Sequence, residues 1–358
     1  MKPVDSTYSR VSAVGKYRVR TILYIAVFWT LIDIIVIILL KNGNTRSPFR
    51  SLVLREVAVF TMSCFMGYLF VYTLRHVFRT RSVFINFIFK SVVLLLAAFV
   101  MNFLVHFVDA VFVAGKGSQH AFDFFMKEIE DVRLLIQKIL YWLILFMITQ
   151  LYIEINEKYS PGVFMDIIRG KYLQPKIEKR IVMFMDLKDS TPIAEKLGHE
   201  ENFLFIRDFI YDVSVALIEH HGRIYQYVGD EIVVSWLYQK KNVKRCLASI
   251  IEARRNLQKN GEEFRRKYNI IPEFRVGIHV GDVTVGEIGV IKKDLAMSGD
   301  TMNTTARIRS AANELNQKFI VSKDFLEGAG LEEWQVESLG IVDLKGKGTG
   351  IELFSLKI

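Results

Sequence analysis

The sequence predicts an α-helical membrane domain of four transmembrane helices, followed by an α+β domain built as a ferredoxin-like sandwich. Three observations lead there. Four long apolar stretches fall within the first 155 residues. From residue 181 onward, apolar runs of strand length alternate with amphipathic runs of helical length, and two Gly-Asp pairs separate neighbouring strand-like runs. The charge is divided as well: residues 1–155 hold 17 of the 47 lysines and arginines but 9 of the 38 acidic residues, and the remainder is near balance.

The first apolar stretch, Thr21–Leu40, is 20 residues long. At about 1.5 Å per residue a helix of that length crosses a hydrocarbon core of about 30 Å. Val57–Leu74, Val83–Val108 and Leu134–Ile153 are the other three spans. The first is too long for a signal peptide and no small-residue cleavage site follows it. A mean hydropathy of +0.25 and a net charge of +9, with the positive excess beside the apolar half, fit a membrane protein with basic flanks. They argue against a soluble nucleic-acid binder, whose basic face would lie on its own domain.

The flanks also orient the chain. Lys2, Arg10, Lys16, Arg18 and Arg20 precede the first span, Arg75, Arg79 and Arg81 lie in the second loop, and Lys158, Arg169 and Lys171 follow the fourth span. These segments are expected in the cytoplasm of a multi-pass protein in the cell membrane, with the N-terminus and the C-terminal domain on that side. The acidic third loop, with Asp109, Asp123, Glu128, Glu130 and Asp131, is expected outside. The first loop, with Lys41, Arg46, Arg50 and Arg55, is basic and opposes the assignment. Asp33 lies within a span, where a charge is costly and calls for a partner inside the bundle; Lys90 is near enough to an end to snorkel. The two cysteines, Cys64 and Cys246, form no CxxC or Cys/His cluster, and Cys246 reads as a buried thiol.

Residues 156–180 form a polar connector. Pro161, Gly162, Gly170 and Pro175 prevent it from being one helix. The soluble domain, residues 181–358, opens with a buried strand at Ile181–Leu187. A long helix follows, with Phe203, Ile206, Ile210, Val213 and Leu217 at helical spacing. Arg223–Val228 and Glu231–Leu237 flank Gly229-Asp230 as a hairpin, Asn242–Tyr268 is a second helix, and Phe274–Val280 and Val283–Ile288 flank Gly281-Asp282 as a second hairpin. Thr301–Leu315 is a helix capped by Asp300 or Thr301.

In this topology the end of the first strand and the first hairpin turn meet at one edge of the sheet, so Asp186 and Asp230 converge. Hard carboxylate oxygens suit Mg²⁺ or Mn²⁺, and two such ions about 3.5–4 Å apart can activate a hydroxyl and stabilise a leaving phosphate. Asp230 by itself reads equally as turn chemistry. Asp186 does not, since the end of an apolar strand needs no charge to fold. Lys188-Asp189-Ser190-Thr191 opens a helix whose N–H groups can cradle a phosphate, or where Asp189 or Ser190 is a plain cap. Asn303 and Arg307, four apart, share a helix face. Lys345 sits among glycines in Leu344-Lys345-Gly346-Lys347-Gly348, which permits close approach to a phosphate or makes an exposed turn.

Taken together, FMDLKDST, YVGDE, SGDTMNTTAR and LKGKG resemble, in order and approximate spacing, the motifs of the class III adenylyl and guanylyl cyclases. The resemblance covers residues 181–358. It implies a membrane-bound nucleotidyl cyclase, an adenylate cyclase making 3′,5′-cyclic AMP and pyrophosphate from ATP, with two Mg²⁺ or Mn²⁺ ions per site and two sites at a homodimer interface. It implies metal binding by Asp186, Asp230 and the carbonyl of Leu187. Asn303 would orient the ribose, Arg307 would stabilise the transition state, and Lys345 and the loop at Thr191 would hold phosphates. Gln226 and Ala296 stand where adenylyl cyclases carry the Lys and Asp that choose adenine, and the Glu and Cys of guanylyl cyclases are absent too. The alternatives are therefore GTP as substrate, or a catalytically silent membrane signalling module. The implied partners are nucleotide, a second copy of the chain and membrane lipid, and no nucleic acid.

Overall fold

A computed structural model of the chain describes residues 13–40, 49–74, scattered positions from 89 to 117, and residues 118–158, 166, 169–291, 294–329, 335–343 and 350–358. The chain divides into two compact units, Gly15–Lys158 and the part carrying Tyr159–Ile358.

The first unit contains helices α1 (Ala13–Leu40), α2 (Phe49–Tyr68, running into a π-helical turn at Leu69–Leu74), α3 (Ser118–Glu130) and α4 (Val132–Lys158). Among the described residues, two segments are long and apolar enough to cross a membrane, Arg18–Leu39 and Leu135–Ile153. The expected span Val57–Leu74 is helical but shares its helix with Arg50, Arg55 and Glu56. Most of Val83–Val108 lies outside the described residues. Trp29 packs edge-on against Phe146, 4.9 Å between ring centres, and its Nε1 donates to Thr149 Oγ1 at 2.8 Å, tying α1 to α4. Asp33 is 5% exposed and faces Arg55 at 3.4 Å. Arg55, read from sequence as a loop residue, thus belongs to a helix and answers the buried aspartate. The acidic third loop likewise contains a helix, α3, instead of open chain.

Among the described residues the second unit holds an eight-stranded mixed sheet of β1 (Lys176–Leu187), β2 (Arg223–Val228), β3 (Glu231–Leu237), β4 (Phe274–Ile288), β5 (Asp294–Ser298), β6 (Phe319–Ser322), β7 (Val336–Val342) and β8 (Ile351–Leu356), in the order β2-β3-β1-β4-β6-β8-β7 with β5 paired to β4. The four strands β2 (Arg223–Val228), β3 (Glu231–Leu237), β1 (Lys176–Leu187) and β4 (Phe274–Ile288) pair antiparallel in the order expected of a ferredoxin-like core. Alternation along β1 separates two faces. Ile181, Met183, Met185 and Leu187 pack on Phe205, Phe209 and Val213 of helix α5 (Ser190–Glu219) and on Val243, Cys246 and Ile250 of α6 (Lys240–Lys259). Val182 and Phe184 point the other way, toward Tyr172, Val233, Val283 and Val285, and toward Met302 of helix α8 (Asp300–Glu314). Asp186 shares the parity of this second group. Cys246 is fully buried, which pushes its thiol up in pKa.

Five expectations change. Phe274–Ile288 is one strand, not a hairpin: it pairs with β1 from Leu187↔Phe274 to Lys176↔Val285, and Gly281 and Asp282 lie opposite Arg180 and Lys179. Gly281 is there for space, since a Cβ would collide with Thr301, whose Oγ1 donates to the Asp282 carbonyl at 2.7 Å. The chain reverses at Gly289, φ 97°, before β5 (Asp294–Ser298). The second helix breaks at Asn260 into α6 and α7 (Gly261–Tyr268). Along α5 the core face carries Phe205 and Phe209, leaving Phe203 exposed, because 203 and 205 lie about 200° apart around the helix and the sheet meets the 205 side. Gly299, not Asp300 or Thr301, holds the cap position of α8. The first strand begins at Lys176, so the end of the connector is part of the sheet; Arg180 is buried there, its Nη2 on Glu178 at 2.6 Å and its Nη1 donating to Ser235 Oγ at 2.9 Å.

Candidate active site

The β2–β3 turn puts Gly229 at φ 62° with Asp230 beside it, and pairs Asp186 with Glu231 across β1 and β3. Three carboxylates thereby gather on the sheet face away from α5 and α6. Asp186 is 8% exposed. Burial is the chief cause that pushes its carboxyl up to about 7; the Asp230 charge adds to the rise and the Arg309 guanidinium opposes it. Glu231 is raised as well, again mainly by burial, with Arg309 opposing.

Arg309 was not singled out from the sequence. It lies on α8, two residues past Arg307, its Nη2 2.8 Å from Asp186 Oδ2 and its Nε 3.0 Å from Glu231 Oε2. It comes so near because α8 rests on bare backbone at Gly277, where a Cβ would run into the Arg309 backbone. The only sequence signal was a second arginine on a helix with an already assigned one. Asn303 is exposed and Arg307 half-buried on the same helix. At about 100° per residue, Arg307 and Arg309 project on opposite sides of α8. Arg307 forms no ion pair among the described residues, and so is not joined to its own chain's Asp186.

Of the other sequence-singled residues, Leu187 is buried at the end of β1 and pairs with Phe274. Thr191 is exposed in the first turn of α5, behind Asp189, which sits at the cap in a left-handed conformation (φ 58°) with no side-chain cap bond. Gln226 is exposed on β2 beside a bulge at Tyr225, and Ala296 is half-buried on β5 opposite Gly286. Lys345 and its glycines lie outside the described residues. The residues present fit a divalent cation. Asp230 Oδ2 is buried with no hydrogen-bond partner among the described residues, and the Arg309 guanidinium pairs with two of the three carboxylates, Asp186 and Glu231.

The pattern described as the adenylate and guanylate cyclase catalytic domain matches residues 173–357. The chain is 28% identical over 206 residues to adenylate cyclase 2 of Rhizobium meliloti (strain 1021), covering 57% of each chain. It is 24% identical over 200 residues to the receptor-type guanylate cyclase gcy-10 of Caenorhabditis elegans, covering 54% of this chain and 18% of that one. The chain thus spans a little over half the length of the first relative and a fifth or less of the second. A solved bacterial light-regulated adenylyl cyclase shares the fold at a TM-score of 0.54 and 19% identity, over 64% of this chain and 67% of that one. Since the match to the catalytic-domain pattern takes in more than half of the 358 residues, the chain belongs to the adenylate and guanylate cyclase family.

Proposed function

We propose that the chain is a membrane-bound nucleotidyl cyclase that converts ATP to 3′,5′-cyclic AMP and pyrophosphate at sites shared by two copies of the chain. The observation that carries the proposal is the pairing of buried Asp186 with Asp230, whose Oδ2 has no hydrogen-bond partner among the described residues. Asp186, Asp230 and the Leu187 carbonyl would hold two Mg²⁺ or Mn²⁺ ions. Such ions, when bound, supply Lewis-acid activation of the ribose 3′-hydroxyl and neutralise the leaving pyrophosphate.

The rest falls to side chains. The 3′-oxygen attacks the α-phosphorus, the bond from that phosphorus to the β-phosphate oxygen breaks, and the hydroxyl proton leaves to solvent. Asn303 of the partner subunit orients the ribose, and its Arg307 neutralises the charge that builds on the α-phosphate oxygens. Lys345 and the amides near Thr191 hold the terminal phosphates. The direction of Arg307, away from its own Asp186, supports a site completed by a second copy. Two further spans, Val57–Leu74 and Val83–Val108, complete a four-helix anchor that keeps both termini in the cytoplasm. This rests on the basic flanks of the chain and on the two apolar helices.

Base choice rests on Gln226 and Ala296. An amide both donates and accepts, so it pairs with either purine, and alanine contributes no side-chain bond. ATP is favoured because adenylate cyclase 2 of Rhizobium meliloti is the relative matched over the larger share of its length. The test is the purified chain with Mn²⁺ and ATP or GTP, products identified by mass. Cyclic AMP with pyrophosphate supports the proposal; cyclic GTP-derived product alone moves the substrate to GTP, and no cyclic product from either nucleotide refutes it.

A further inference from the structure

Resting on the proposed metal site, we infer that Arg309 is a built-in counter-ion that occupies Asp186 in the metal-free enzyme and must give up that contact when a divalent cation binds. The guanidinium bridges two acidic residues that face each other across β1 and β3, at 2.8 Å to Asp186 Oδ2 and 3.0 Å to Glu231 Oε2. The Arg309 side chain is 20% exposed and that of Asp186 11%, so water screens the pair only in part.

The Asp186 oxygen that Arg309 holds is one of the few hard ligands at the site. A cation on that oxygen and a guanidinium on the same oxygen would be like charges at close range in a poorly solvated place. Glu231 offers the released arginine somewhere to stay, since its contact is made through a different nitrogen. The placement is fixed from behind: Gly277 lets α8 sit against β4, and any side chain there would push the Arg309 backbone away. Arg309 therefore sets how much divalent cation the site needs.

The test is Mn²⁺ binding to the full-length chain in nanodiscs without nucleotide, followed by electron paramagnetic resonance. Arg309→Gln is expected to tighten Mn²⁺ binding by about tenfold or more, while Arg309→Lys, which keeps the charge, stays near wild type. Affinity that is unchanged in Arg309→Gln, or weaker by the roughly 10–100-fold typical of losing an orienting partner, overturns the inference. Asp186→Asn separates this from the metal site itself. If Asp186→Asn leaves Mn²⁺ binding intact, the metal site falls and the Arg309 role with it. If Asp186→Asn abolishes binding while Arg309→Gln fails to tighten it, the Arg309 role alone falls. Should Arg309→Gln melt far below wild type, Glu231→Gln serves instead. Removing the arginine's other partner should weaken Mn²⁺ binding, and do so equally in an Arg309→Lys background, which keeps the charge; equal affinity to wild type overturns the inference.

Discussion

Gly277→Ala adds one methyl group at the point where α8 meets the sheet. Gly277 lies within β4, paired with Phe184 on β1 and Ile320 on β6, and its backbone tolerates alanine, so the effect is purely steric. The new Cβ would strike the Arg309 amide nitrogen and lie 2.7 Å from its Cα and 2.8 Å from its Cβ. Ordinary carbon contacts are about 3.5–4 Å, so helix and strand must part by about 1 Å. Overpacking of this kind costs about 1–3 kcal/mol, partly offset by the roughly 0.4–1 kcal/mol that alanine contributes by stiffening the unfolded chain. For a domain of this size, about 2–4 °C of Tm follows each kcal/mol, which gives a loss of up to about 10 °C. The movement also carries Asn303, Arg307 and Arg309 with it, and a misplacement of about 1 Å can cost about a hundredfold in rate. Gly222→Ala is the control. Its Cβ would meet Leu217 O, Trp236 Cζ2 and Val234 Cγ2, each at 2.8 Å, on the far side of the domain from α8. Both variants should lower Tm, but only Gly277→Ala should lower turnover of the folded protein. If Gly277→Ala keeps its Tm within a degree and its turnover within twofold, α8 does not rest on bare backbone and the geometry described for Arg309 is wrong.

Four other outcomes follow from the same site. Asp186→Ala and Arg307→Ala should each be nearly inactive alone and regain activity when co-expressed, because a mixed dimer keeps one intact site; no recovery from folded, paired mutants refutes the shared site. Asp186, raised from 3.8 to about 7 mainly by burial, keeps in the folded metal-free state a proton that the unfolded chain loses, so the stabilisation is full below about pH 4 and lost as the pH rises to 7. Melting of the metal-free protein across that range should show a slope that Asp186→Asn reduces. ATP and GTP in competition should differ by only about ten- to a hundredfold, and Gln226→Lys should shift the ratio toward ATP; a ratio that does not move takes residue 226 out of the base pocket. Reporter fusions after residues 80 and 160 should report cytoplasm and one near 118 the outside, and a cytoplasmic signal at 118 overturns the four-span topology.

Much of the domain was legible because the signals were local. The first hairpin falls at Arg223–Val228 and Glu231–Leu237 as read, since Gly229 takes a positive φ that glycine allows freely and the flanking runs are apolar. The same logic failed at Gly281-Asp282. A glycine that makes room for Thr301 looks in sequence like a glycine that makes a turn, and only the packed helix tells them apart. Phe203 starts one apolar stripe, with Ile206 and Ile210, that runs beside a second, Phe205, Phe209 and Val213; the sequence shows both, and only packing on the sheet shows that the second is the buried one. The convergence of Asp186 and Asp230 could be read from topology, but Arg309 could not. Its partners lie on β1 and β3, and its own helix shows only a second arginine beside Arg307.

The assignment of opposite tasks to Arg307 and Arg309 turns on helix geometry. Residues 303 and 307 are about 40° apart around α8, and 307 and 309 about 200°. Since Arg309 is fixed on Asp186 and Glu231, the Asn303–Arg307 face must look elsewhere. A single chain therefore brings its aspartates and its Asn–Arg pair to opposite sides of one helix, and no rotation of side chains alone reunites them. A second copy of the chain can: its own α8 face would approach the aspartates from the open side. On this reading a lone protomer binds metal but cannot complete the site, so cation binding should be insensitive to protein concentration while turnover per chain rises with it until dimers saturate. Turnover per chain that stays constant on dilution well below the dimer's dissociation, with dimer content measured in the same samples, would place both halves of the site in one chain.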